Sequence, residues 1–148
     1  MKVRGTDGSA STSATASASD AVPQHGLTAP VHMEEKLSFS SLHLDIIPVG
    51  EDIAAVLYGG DRPHIGCTVL ALPRPSLRDD GSMSCTSSVI NLTGHKDEQI
   101  CRYMAEALCR KYTAAVTCTG GFHVDGISSE QVEELMEKLK EMLKKCSV

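Results

Sequence analysis

The stretch "KDEQICRYMAEALCRKYTAAVTCTGG", residues 96–121, changes period in its middle. Ile100, Met104, Ala107 and Leu108 recur at helical spacing, with acids early and Arg110-Lys111 late, as the helix dipole favours. "TAAVTCT" then reads as a strand ended by Gly120-Gly121. Upstream of this stretch, from Leu37 onward, the apolar pattern is that of strands. Downstream, Ser128-x-x-Gln131 forms a capping box ahead of the stripe Val132, Leu135, Met136, Leu139, Met142 and Leu143, a second amphipathic helix.

The strand-like part begins at Leu37. Leu37 and Phe39 alternate with polar residues, and Leu42, Leu44 and Ile46 continue on the opposite parity, so a β-bulge is expected at Ser40-Ser41. Pro48-Val49-Gly50 closes this strand. "DIAAVLY" follows up to Gly59-Gly60, then "IGCTVLAL" up to Pro73. The latter is apolar on both parities and is expected to lie centrally, covered on both faces. "PRPSLRDDGS" reads as a loop and "SCTSSVINL" as a fourth strand. Four strands, a helix, a strand and a helix predict an α+β layer. Its sheet is expected to be mostly antiparallel and five-stranded, with both helices on one face. The other sheet face then needs cover, which a homodimer packed sheet against sheet provides.

Residues 1–34 are rich in Ser, Ala, Thr and Gly and lack apolar periodicity, so a disordered tail is expected ahead of one domain at 35–148. The tail has no apolar core fit for a secretory signal or membrane helix. Asp7 and Asp20 depart from the acid-poor pattern of a transit peptide, and a cytoplasmic protein is expected. The formal net charge of -5, without a basic run, offers no nucleic-acid surface. Cys67, Cys85, Cys101, Cys109, Cys118 and Cys146 form no C-x-x-C pair and read as reduced thiols acting as small hydrophobes.

Polar chemistry concentrates at three strand ends: "GGDRPHIG" (59–66), "TGHKDE" (93–98) and "TGGFHVDG" (119–126). Each joins glycine with one histidine and at least one acid, and in a small sheet the three can meet on one edge. The second passes from strand to helix, where free N–H groups, Gly94 and Lys96 suit a phosphate or carboxylate; alternatively Thr93 or Asp97 simply caps the helix. In the first, Asp61 either bonds nearby amides in a rigid hairpin or joins His64 in a site. Arg74, clamped between Pro73 and Pro75, is a fork-shaped cation suited to an oxyanion. His64, His95, His123 and Asp125 allow either a metal site or a histidine set that bonds a flat polar ligand. No recognisable nucleophile turn is present, and a catalytic residue is not expected.

"GGDRPHIG", "ALPRPSL", a Ser/Thr-rich strand, "GHKDE" and "GGFHVDG", in this order over roughly residues 37–143, resemble the small accessory proteins of gallate decarboxylase systems. These are prenylated-flavin chaperones of the LpdD-like type. The resemblance implies a fold similar to dimeric proteasome-assembly chaperones. It also implies a non-catalytic carrier that binds reduced prenylated FMN and loads a UbiD-type aromatic acid decarboxylase. Under it, Arg74, Lys96 and the Gly94 turn hold the phosphate. Asp61, His64, His95, His123 and Asp125 bond the flavin edge or ribityl hydroxyls. Gly59, Gly60 and Gly121 shape the wall, and Ile65 and Phe122 form an apolar floor. Two other functions stay open: a small enzyme or accessory component of a decarboxylase with a His/Asp metal site, and an assembly chaperone that binds protein alone.

Overall fold

The parity change at Ser40-Ser41 marks a turn between two strands and not a bulge within one. In the computed structural model, which describes residues 25–78, 80–92, 94 and 97–146, strand β1 spans Val31–Lys36 and β2 Ser41–Val49. Between them the Leu37 N–H donates to Ser40 O at 2.8 Å. Leu37 and Phe39 are apolar because they pack against the core from this turn. Gly50, at φ +61°, opens the two-residue connection to β3, Asp52–Gly60. Then follow β4 (Cys67–Pro75), β5 (Met83–Asn91), α1 (Glu98–Tyr112), β6 (Val116–His123) and α2 (Ser129–Lys145).

Among the described residues the sheet has six strands in the order β1-β2-β3-β6-β4-β5. It is mixed, because β6 lies parallel to β3 while the other neighbours are antiparallel. The expectation of five mostly antiparallel strands is corrected on both counts. The sixth strand is β1, four of whose residues fall in the segment expected to be a disordered tail. Ahead of it, Leu27 and His25 are buried; the His25 ring bonds Gly50 O at 3.1 Å and accepts the Leu27 N–H at 3.0 Å. Two buried side chains thus anchor a stretch whose composition carries no periodic signal. Residues 1–24 of the expected tail lie outside the described residues.

Strand β6 enters between β3 and β4 because the chain leaves β5 at the edge, packs α1 across β4, β5 and β6, and returns inside the sheet. The 61–66 connection is therefore no hairpin. It must cross over the end of β6, about two strand spacings or ~10 Å.

Both helices cover one face, where Leu42, Leu44, Leu57, Val69, Val116 and Cys118 meet Met104 and Leu108 of α1 and Leu139 and Met142 of α2 in one core. The opposite face is open in the single chain. Leu70 and Leu72 are 40% and 49% exposed, so β4 is covered on one face only, contrary to expectation. Its second apolar parity serves the open face.

The α2 capping box forms as the sequence predicts. Ser128 Oγ accepts the Gln131 N–H, and the Gln131 side chain accepts the Ser128 N–H at 2.8 Å. Ser128→Ala is expected to cost about 1 kcal/mol in urea unfolding, with an unchanged denaturant slope. Ser38 ties the β1–β2 turn to the same helix, its N–H and hydroxyl each donating to the Glu134 carboxylate at 2.6 Å.

All six cysteines are free, and five are buried. Burial pushes the Cys67 thiol up to about 12 and that of Cys109 to about 11. Such thiols stay protonated at neutral pH and pack as hydrophobes.

Candidate functional site at the β3, β4 and β6 ends

The crossing loop is stitched to the strand it passes over. Asp61 N–H donates to His123 O at 2.8 Å, Gly66 N–H donates to Gly120 O at 2.9 Å, and Leu92 N–H donates to Gly66 O at 2.8 Å. The ends of β3, β5 and β6, the start of β4 and the first turn of α1 therefore meet on one edge.

At its centre lies Asp97, 7% exposed, in the N-cap position of α1. Its side chain makes no capping bond. Position N3 is Ile100, so no reciprocal box holds the carboxylate at the helix end. Instead Oδ1 accepts the Phe122 N–H at 2.9 Å, and Oδ2 lies 3.1 Å from His64 Nε2. The other nitrogen of that ring, Nδ1, is 3.1 Å from Arg62 O. Two glycines make room. A Cβ on Gly66 would overlap Asp97 Oδ2, and one on Gly121 would stand 2.9 Å from His64 Nε2 and 3.0 Å from Asp97 Cγ.

A second, exposed cluster adjoins the first. Arg62 Nη2 donates to both oxygens of Asp125, at 2.7 and 2.8 Å, and lies 3.0 Å from His123 Nε2. His123 Nε2 is also 2.9 Å from Asp125 Oδ1. The His123 hydrogen bond, and then the charge of Arg62, hold the Asp125 carboxyl below the usual carboxylate range. With Arg62 and Asp125 side chains 66% and 79% exposed, water screens their pair, and a ligand anion can replace Asp125 at small cost. The His64 and His123 rings meet edge to face, centroids 6.0 Å apart.

Two cavities flank His123, which lines both. One, of about 410 Å³, lies between the first turns of α1 and α2 and the 122–127 segment, with Ile100, Phe122, Ile127, Val132 and Leu135 among its walls and Gly94, Asp97 and Gln99 at its polar side. The other, of about 420 Å³, is lined by Arg62, Pro63, His64, Ile65, Leu92 and Asp125. Both volumes fall within the range of small-molecule sites.

The edge gathers Asp61, His64, Gly94, His123 and Asp125, as the three-motif reading expects, with Ile65 and Phe122 in cavity walls. His95 and Lys96 lie outside the described residues, as does Thr93. Three glycines serve a different purpose from the one expected. The space beside Gly59, Gly60 and Gly121 is filled by protein: Ser41 O, the His123 main chain, and the His64 and Asp97 side chains, respectively. Arg74 is not brought to this edge. It stands seven residues beyond Cys67 along β4, roughly 23 Å away, and its Nε donates to Thr86 Oγ1 at 3.0 Å. Among the described residues no three His, Cys, Asp or Glu side chains are grouped to hold a metal ion.

Sequence reading missed two members, Asp97 as a carboxylate turned into the site and Arg62. The missing Glu or Gln at N3 was the signal for Asp97. Arg62 had none, since its partner Asp125 is 63 residues away.

Among the described residues no helix is long and apolar enough to cross a membrane. No curated protein matches the chain. A solved structure of a chaperone complex for yeast 20S proteasome assembly is similar with a TM-score of 0.47 at 17% identity, over 79% of this chain and 94% of that one. The family model of the prenylated flavin chaperone LpdD-like domain matches residues 35–147. The chain therefore belongs to the LpdD-like prenylated flavin chaperone family.

Proposed function

We propose that this protein is a cytoplasmic carrier, without turnover of its own, that binds reduced prenylated FMN and delivers it to a UbiD-type aromatic acid decarboxylase. The observation that supports it most is the meeting of the three polar strand-end motifs around two cavities that share His123, one mostly apolar and one carrying Arg62, His64 and Asp125. Prenylated FMN has the same division, a hydrocarbon ring at one end and a polar flavin edge, ribityl chain and phosphate at the other. In this reading Asp61, His64, His95, His123 and Asp125 bond the polar flavin edge and ribityl hydroxyls. Gly94 and Lys96 approach the phosphate. Arg62, a fork already placed at the rim, takes the phosphate role that the resemblance implies for Arg74. The working unit is a homodimer joined through the open sheet face, where Leu70, Leu72 and Ile90 await cover.

Anaerobic titration with reduced prenylated FMN, with FMN and oxidised prenylated FMN as controls, tests the cargo. Selective binding of the reduced form supports the proposal, and activation of an apo-decarboxylase by the loaded protein then tests delivery. Binding of none of the three sinks it. Arg62→Ala is expected to weaken binding about tenfold, the worth of one charge-assisted contact. Arg74→Ala should leave affinity unchanged. Arg62 is exposed and Arg74 half-buried on the sheet, and neither change should move Tm by more than about 2 °C.

A further inference from the structure

We infer that the apolar cavity receives the prenyl-derived ring of the cargo, and that Val132 sets the preference for prenylated over unmodified flavin; this rests on the carrier reading above. The two cavities are nearly equal in volume but differ in chemistry. The first is walled mainly by Ile100, Phe122, Val124, Ile127, Val132 and Leu135. The second holds a guanidinium, an imidazole and a carboxylate. His123 stands in both walls, so a ligand spanning it is apolar at one end and polar or anionic at the other.

Unmodified FMN already has a polar edge, a hydroxylated chain and a phosphate. Prenylation adds a largely hydrocarbon ring that neither donates nor accepts strong hydrogen bonds. That ring gains most from a wall that offers none. Among the polar groups lining that cavity, the Asp97 carboxylate is already engaged by Phe122 N–H and His64.

Val132 has no other evident task. The buried residues of α2 are Leu135, Leu139 and Met142, while Val132 remains 37% exposed and faces the cavity. It sits one turn after the Ser128 capping box, on a helix end held rigid by that box and by the Ser38–Glu134 bonds. A specificity wall needs such a fixed element.

The test is anaerobic titration of wild type, Val132→Trp and Val132→Asp with reduced prenylated FMN and, separately, with reduced FMN. Tryptophan fills the cavity. Aspartate removes its apolar character yet suits the first turns of a helix, so at least one variant retains the fold, which urea unfolding checks. Wild type is expected to prefer the prenylated form. Each folded variant should lose about tenfold or more of its affinity for that form, and stay within about twofold for reduced FMN, as a hydrophobic pocket discriminates added carbons. If wild type binds and the variants weaken both ligands equally, or neither, the prenyl site is overturned while the carrier reading stands. If wild type binds neither flavin, the carrier reading itself fails and the subsite with it.

Discussion

Gly120→Ala is expected to be the most damaging single substitution in the sheet, costing on the order of 3–5 kcal/mol. Gly120 occupies φ +145°, where an L side chain is strained whatever the space around it. Space is also absent. A Cβ there would overlap the main-chain oxygen of Leu57, and would approach the Leu57 carbonyl carbon at 2.7 Å. Those atoms belong to β3 and cannot rotate away as a side-chain tip would. Gly120 is also the residue where β6 pairs with Leu57 of β3 on one side and Cys67 of β4 on the other. Displacing it pulls apart the central parallel pair. The comparison is Gly126→Ala, at φ +67° with no heavy atom near its Cβ, for which about 1–2 kcal/mol is expected. Urea unfolding of the two variants checks the difference. Equal losses would mean that backbone strain alone operates and that β3 yields.

Asp97→Ala should cost about 2–4 kcal/mol and weaken ligand binding at the same time. Removing the buried carboxylate leaves the Phe122 N–H and the His64 ring without the acceptor that positions them. Asp97→Asn should be milder, because an amide oxygen still accepts the Phe122 N–H. Gly66 supplies a sharper test of the packing. Gly66→Ala in the wild-type background drives a methyl into the Asp97 carboxylate and should cost a similar amount. In the Asp97→Ala background most of that penalty should vanish, since two of the three close contacts, Oδ2 and Cγ, are to atoms that alanine lacks. Strong non-additivity in this double-mutant cycle is the expected result. Additive losses would place the strain at Gly66 in the backbone and remove Asp97 from its cause.

These two substitutions explain why the glycines at the strand ends are so dense. They admit other parts of the protein: a neighbouring strand at Gly59 and Gly120, the His123 main chain at Gly60, a buried carboxylate at Gly66 and Gly121. The candidate site is built by the side chains that this close packing holds in place, His64 above all.

The amino-acid sequence by itself determined the kinds of element and most of their order: helices at 98–112 and 129–145, the capping box at Ser128, and strands ending in glycine-rich polar motifs. Periodicity, capping and turn chemistry act within about four residues, so they are written locally. It also marked the three motifs as companions, because each places irregular polar backbone at a strand end. What only the tertiary structure decided is which strand lies beside which. β6 pairs with β3 across the 55 residues between Gly60 and Val116, and that insertion turns the 61–66 segment from a hairpin into a bridge. The bridge sets His64 beside Asp97, 33 residues away, and Arg62 beside Asp125, while strand length carries Arg74 to the opposite end. The Val31–Lys36 strand was hidden for the same reason. Its alternation is masked by charged and polar residues, and it becomes a strand by pairing with β2 and by the burial of Leu27 and His25. Long-range pairing energy assigns those partners, and no short window of sequence contains it.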